Sequence, residues 1–217
     1  MSNMILEMLP LGDFQANVFL VPHETDPDRC WIVDCGPDPG PLLQAIDRSG
    51  RTPAGIVLTH CHHDHIGGIE EVLAAHGPMP IAAHVREAEW NQRPDLNLSV
   101  FLGTPTVCTP PDVLMEEGGE CLLGSQWSIL HVPGHSPGSV AFHHSDSHTL
   151  IAGDTLFSGS IGRIDFPTSD SEDMKASLTR LMALSDQTEV FSGHGPPTTI
   201  GAEKTGNPFI MNGIPSF

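Results

Sequence analysis

The chain has 217 residues with 39% apolar content, and its 9 Lys plus Arg face 27 Asp plus Glu, a formal charge of −18. That length suits one domain, residues 1–217, with a sizeable core, and no apolar run approaches the roughly 20 residues that span a bilayer. A surface this acidic repels phosphate backbones, so nucleic acid is not an expected partner. The N-terminus lacks the cationic start of a signal peptide. Cys30, Cys35, Cys61, Cys108 and Cys121 form no C-x-x-C pair and read as reduced thiols. A cytoplasmic location and no membrane partner are therefore expected, and nothing specifies an oligomeric state.

In chain order, "NMILEML" and "NVFLV" read as two early strands. "CWIVDCG" is a short buried strand ending at Asp34, and "PGPLLQAIDRSG" a helix stopped by Gly50. "GIVLTH" is an apolar strand running into "THCHHDH", and "GGIEEVLAAHG" a helix closed by Gly77. "MPIAAH" is a strand and "VREAEW" a short helix. Residues 91–112, rich in Pro and Thr, are the best candidate for a mobile loop over a site. "QWSILHVPGH" is a strand ending at His135. "SVAFHH" and "HTLIAGD" are paired strands, "SEDMKASLTRLMAL" an acid-started helix, and "EVFSGHG" a last strand ending at His194. Strands followed by strand–helix alternation, twice over, suggest two mixed sheets with helices outside. Four strands end on a residue able to bind metal: His60, His135, Asp154 and His194. Strand ends can converge on one edge of a sheet.

"THCHHDH" places four imidazoles and a carboxylate within six residues. His and Asp bind Zn, Fe and Mn. His60 and His62 share one face of an extended segment. Asp64 and His65 follow where the chain turns into a helix, directed at a second position. Gly67 and Gly68 let the backbone make that turn closely. His63 faces away, and Cys61 reads as a core or supporting thiol.

The segment resembles the T-H-x-H-x-D-H signature of the metallo-β-lactamase superfamily. "VPGHSPGSV", "IAGDTLFSGSIGR" and "FSGHGPPTT" match its later motifs in kind and order. The resemblance covers nearly the whole chain and implies an α/β fold, a four-layer αββα sandwich with two mixed sheets. It implies one metal on His60, His62 and His135, a second on Asp64, His65 and His194, and Asp154 bridging them. Asp34 would support the ligands. The cofactors would be two divalent ions, zinc first, with iron or manganese as alternatives.

Among subfamilies, "SGSIGRIDFP" and "GHGPPTTIGAEKTGNPF" are most similar to the compact glyoxalase II-like group. Asp154 in place of Cys argues against the thiolate β-lactamase site. The absence of Tyr removes the phenol of many lactonases. The resemblance implies hydrolysis of acylglutathione thioesters by a hydroxide bridging the ions, with catalytic roles for Asp64 and Asp154. The partner would be a small-molecule thioester, a glutathione conjugate. The C-terminal helical domain that grips glutathione in larger relatives is expected to be absent. Arg163 is the foremost candidate to meet a substrate carboxylate, or else pairs with Asp165 or Asp34; Arg86, Arg93 and Lys204 are weaker candidates. Trp90, Phe101 and Leu102 would line the cleft or pack in the core. His143, His144 and His148 read as a solvated turn, and His131 as core or support to the site. Two rival readings are a mononuclear-iron persulfide dioxygenase using His60 or its neighbours, His135 and Asp154, and a metal-bound domain without turnover.

Overall fold

The computed structural model describes residues 4, 5 and 7–213. Asn3 and Leu6, part of the first expected strand, lie outside them. The first half of the chain runs β1 (Glu7–Leu11), β2 (Ala16–Pro22), β3 (Arg29–Val33), α1 (Gly40–Ser49), β4 (Thr52–Val57), α2 (His63–Ile66), α3 (Ile69–His76), β5 (Ile81–His84) and β6 (Val113–Met115). Its six strands form one sheet in sequence order, antiparallel from β1 to β3 and parallel from β3 to β6. The second half runs β7 (Trp127–His131), β8 (Val140–His144), β9 (Thr149–Gly153), a hairpin of β10 (Leu156–Phe157) and β11 (Ser160–Ile161), and α4 (Ser171–Leu181). It continues with β12 (Glu189–Ser192), β13 (Thr198–Thr199), α5 (Ile200–Gly206) and α6 (Pro208–Met211). Its main sheet has the order β13-β12-β9-β8-β7.

The layering follows from the two-residue period of a strand. Val18, Leu20, Ile32 and Ile56 face outward against Leu42, Ile46, Ile69 and Val72 of α1 and α3. Their neighbours Phe19, Val21, Trp31, Val33 and Val57 face inward and meet Ile129, Phe142 and Ile151 of the second sheet. The opposite faces of those strands, through Ala141, Leu150 and Ala152, meet Met174, Leu178 and Leu181 of α4. Covered on both faces, the central strands read as continuous apolar runs, not alternating ones. The result is the expected four-layer αββα sandwich.

Helix ends obey their local signals. Gly50 closes α1 in the left-handed region at φ 68°. Asp170 caps α4 by accepting from the amides of Glu172 and Asp173. "VREAEW" forms two single 3₁₀ turns, Val85–Glu87 and Trp90–Gln92, not one helix. "EVFSGHG" is not the last strand, because β13 follows it. His144 is not in a solvated turn: it is buried against Trp127, and its Nδ1 meets Ser147.

The strands bearing candidate ligands stop short of the expected residues, at Val57, His131, Gly153 and Ser192. Three of the stops have a local cause in the backbone. The Thr59 amide turns to the Asp34 carboxylate. Pro133 has no amide to donate. Gly153 turns left-handed at φ 50°. Because β4, β7, β9 and β12 point the same way, the loops beyond them meet at one edge of the sandwich.

Beyond His194, β13 leads into α5 and α6, which are held by Asn207, a fully buried residue. Its Nδ2 donates to Ser160 O and to Glu203, and its Oδ1 accepts from the Phe209 amide. Replacing Asn207 with Ala leaves buried groups unpaired and is expected to cost about 1–3 kcal/mol. A lower melting temperature in differential scanning calorimetry is the expected result, and an unchanged one would contradict this account.

Candidate metal centre

The turn from β4 into α2 carries the histidine cluster. Cys35 N donates to His65 O at 2.7 Å and Gly68 N to Cys35 O at 2.9 Å, stitching this turn to the loop after β3. Gly67 and Gly68 keep ordinary negative φ, so the need for glycine there is closeness. A Cβ on Gly68 would strike Gly36 O, and one on Gly67 would press on Pro37.

Buried Asp34, at φ 61°, organises the ring nitrogens. Its Oδ1 accepts from Thr59 N at 2.7 Å. Its Oδ2 accepts from Thr59 Oγ1 at 2.8 Å and lies 2.9 Å from His65 Nδ1. With its own proton given to Asp34, Thr59 Oγ1 accepts from His60 Nδ1 at 3.1 Å. His135 Nδ1 donates to Arg163 O at 2.9 Å, and His194 Nδ1 to Phe14 O at 3.0 Å. Each of these four rings therefore turns Nε2 inward, its tautomer set by an acceptor behind it.

Three groups of ligand atoms converge within 4.8 Å: His60, His62 and His135; His60, His65 and Asp154; Asp64, His65 and His194. Asp154 stands between the outer two. Its Oδ1 lies 3.4 Å from His65 Nε2, and its Oδ2 lies 3.5 Å from His135 Nε2 and 3.4 Å from His194 Nε2. Asp64 Oδ2 is 3.2 Å from His194 Nε2. The packing demands glycine beside Asp154: a Cβ on Gly193 would overlap its carboxylate, and one on Gly162 its carbonyl.

These residues fit divalent ions. His60 Nε2, His65 Nε2 and Asp154 Oδ1 are buried without a hydrogen-bond partner, an arrangement proteins avoid unless something else binds there. His62 Nδ1 faces His135 Nε2 at 2.9 Å, two nitrogens needing a shared proton or a shared cation. Burial drives His60, His62 and His135 below the usual imidazole range, which keeps lone pairs free. Burial also opposes charge on His194 and His65, but the nearby carboxylates outweigh it. His194 rises to about 10, and His65 rises as well. Burial would raise Asp64 and Asp154, yet His65 and His194 hold both low, Asp64 at about 2. The site therefore carries two ionised carboxylates among histidines.

An open cavity of about 570 Å³ lies over the cluster and is lined by His62, Asp64, His135, Asp154 and His194 among others. Phe101 and Leu102 line it, whereas Trp90 is buried against the His62 ring, with centroids 5.7 Å apart. Residues 91–112 do fold over the site, tied down through Asn97 and through His63, whose Nδ1 meets Thr106 Oγ1 at 2.9 Å. Arg163 reaches the rim with its guanidinium held by Asp165, two bonds of 2.8 Å, and stacked 4.4 Å over Phe166. Arg86, Arg93 and Lys204 are not in the lining. His131 is outside the site, stacked on His84 at 4.3 Å.

Two supporting residues escaped sequence reasoning. Glu87, fully buried, accepts from Cys61 N at 2.7 Å, from Gly138 N at 2.8 Å and from Ser136 Oγ. It thereby ties the His60–His62 segment to the His135 loop. Asn17 donates from Nδ2 to Ser192 O and Gly195 O, both at 2.9 Å, fixing the backbone either side of His194. Asn17 had a signal, a lone amide in an apolar strand. Glu87 had none, because "VREAEW" reads as an exposed helix.

Residues 11–194 match the family model described as the metallo-beta-lactamase superfamily. The chain belongs to the metallo-β-lactamase superfamily. A relative from Bacillus subtilis named probable metallo-hydrolase YqgX is 38% identical, covering 93% of this chain and 95% of its own. Hydroxyacylglutathione hydrolase GloC of Haemophilus influenzae is 34% identical, covering 95% and 98%. Two solved structures superpose closely. BLEG-1, a B3 metallo-β-lactamase, has a TM-score of 0.87 at 38% identity over 94% of this chain and 98% of that one. TTHA1623 in a di-iron-bound form has 0.84 at 36% identity over 94% and 100%. The chain is a metal-dependent hydrolase of this superfamily, with a His/Asp cluster suited to divalent ions.

Glu87→Ala strands the amides of Cys61 and Gly138 at about 1–3 kcal/mol each and should lower both melting temperature and bound metal per chain. Glu87→Gln, retaining one acceptor oxygen, should fall between; a wild-type metal content and melting temperature for Glu87→Ala would refute the brace. A second expectation concerns protons. The carboxylates raise His65, and His194 to about 10, so an ion taking their Nε2 atoms competes with protons there, and affinity should rise with pH. Calorimetric titration with Zn²⁺ in buffers of different ionisation enthalpy should show net proton release; equal heats in all buffers would contradict it.

Proposed function

We propose that this protein hydrolyses acylglutathione-type thioesters, S-D-lactoylglutathione to D-lactate and glutathione, with two divalent ions. His60, His62 and His135 would hold one ion, Asp64, His65 and His194 the other, and Asp154 would contact both. The observation that carries this reading is the pair of triads either side of Asp154 at the floor of an open cavity. The relative named hydroxyacylglutathione hydrolase, aligned along nearly its whole length, supports the choice of ester. Zinc is the first choice of metal, and the di-iron form of a structural relative keeps iron in view.

Bound divalent ions supply Lewis acidity and lower the pKa of water towards neutrality. The chain's own residues do the rest. Asp64, with 21% of its side chain exposed, is the carboxylate placed to accept a hydrogen bond from attacking water. Asp34, Arg163 O and Phe14 O hold the imidazole protons on the outer side, so none is lost into the cavity. Water gives up one proton to solvent as its oxygen attacks the thioester carbonyl; the C–S bond breaks, the water oxygen stays in the new acid, and the sulfur leaves as thiolate. A thiol ionises near ~8.5, so no strong protein acid is needed.

The test is hydrolysis of S-D-lactoylglutathione before chelation, after it, and after metal return. Turnover should vanish and recover. Asp154→Ala should lose metal and about 10²-fold or more in kcat/KM; a metal-free or Asp154→Ala protein of undiminished activity would sink the proposal. The B3 β-lactamase among the structural relatives favours one second reading, opening of a β-lactam amide at the same ions. A cephalosporin run in the same assay decides it, by turning over when the thioester does not.

A further inference from the structure

The cavity over the triads has a wall whose chemistry the lactoyl group does not use. Phe166 stands beside His62 and His135, with ring centroids 5.6 and 5.7 Å away. Phe157 stands beside His194 at 5.9 Å. Phe14, Leu98, Phe101 and Leu102 complete an apolar rim. Phe14 is 51% exposed, Phe101 70% and Leu102 45%, a cluster of apolar side chains left in water at the mouth of a site. The turn that holds Phe101 and Leu102 there begins at Leu98, a non-glycine residue in the left-handed region at φ 67°. That conformation costs roughly 1–2 kcal/mol, and such cost persists at ligand clamps.

Polar side chains of the lining outside the triads are already bonded within the protein. Arg163 is forked onto Asp165, Asn97 bonds Trp90 O, Thr106 O and Ser99 N, and His63 bonds Thr106. A hydroxyl on a short acyl group would find few partners there beyond the ions. An alkyl or aromatic group would cover the exposed rings and gain about 0.8 kcal/mol per buried methylene.

We propose that this cleft is an apolar acyl subsite, and that the substrate is a thioester bearing an alkyl or aromatic acyl group ahead of a short hydroxyacyl one. The inference rests on the hydrolase reading for its chemistry, but the subsite itself is open to a separate binding test. Holding glutathione constant isolates the acyl part. S-hexanoylglutathione should exceed S-D-lactoylglutathione in kcat/KM by about tenfold or more. S-hexylglutathione, a thioether that cannot be hydrolysed, should bind the metal-loaded protein about tenfold more tightly than S-methylglutathione in calorimetry. Phe101→Ser, at an exposed position, and Phe166→Ala should each bring both ratios towards one. Equal or better use of the lactoyl thioester, or equal affinity for the two thioethers, overturns the subsite. Turnover of neither thioester overturns the hydrolase reading instead, and the thioether comparison then still decides the subsite.

Discussion

A carboxylate buried behind the histidines governs the geometry in front of them. Asp34 is fully enclosed, so its charge must be met by donors, and it finds them in Thr59 N, Thr59 Oγ1 and His65 Nδ1. Through the Thr59 hydroxyl its influence extends to His60. One anion therefore sets the tautomers of two rings and ends β4 at the point where the cluster begins. Removing one partner from such a buried set leaves charge or dipole uncompensated, which is far costlier than the net worth of the bonds. The position at φ 61° is tolerable for Asp, whose short polar side chain suits the left-handed region.

The other loops are held by the same device in weaker form. Glu87 fastens the histidine turn to the His135 loop, and Asn17 fastens the first sheet to the His194 loop. Backbone carbonyls of Phe14 and Arg163 orient the two remaining rings. The outer edge of the sandwich is thus a ring of acceptors pointing inward at imidazole N–H groups. Their second nitrogens face inward beside Asp64 and Asp154, and that basicity is what a cation, in competition with protons, can use. The acidic excess of the whole chain favours cation uptake in the same sense. The cavity above has the opposite character. Its aromatic rim lowers the local dielectric over the charged floor, where electrostatic interactions are strongest.

Much of this was legible in the residues. The order T-H-C-H-H-D-H between an apolar strand and "IGG" announced a metal-binding turn, because imidazole and carboxylate at that density have no better structural use. Apolar runs at β3 and β4 announced buried strands. Strand ends were overrun by one to four residues, because an apolar pattern continues past the last ladder bond. The hairpin β10–β11 and the helices α5 and α6 gave little periodic signal, being too short for one. His144 misled because a histidine pair near a turn looks solvated, whereas strand alternation buries one of the two.

The sequence by itself determined the candidate ligand types, their local spacing and the layered fold, since these depend on residue chemistry and on periods of 2 and 3.6. Only the tertiary structure decided which nitrogen of each ring faces the centre and that Asp154 lies between two triads. It alone showed that Arg163 is held by Asp165 beneath a largely apolar mouth. Those properties depend on contacts between residues far apart in the chain, such as Asn17 with Ser192 or Cys61 with Glu87. Such contacts exist only once both sheets have packed and their strand ends share one edge.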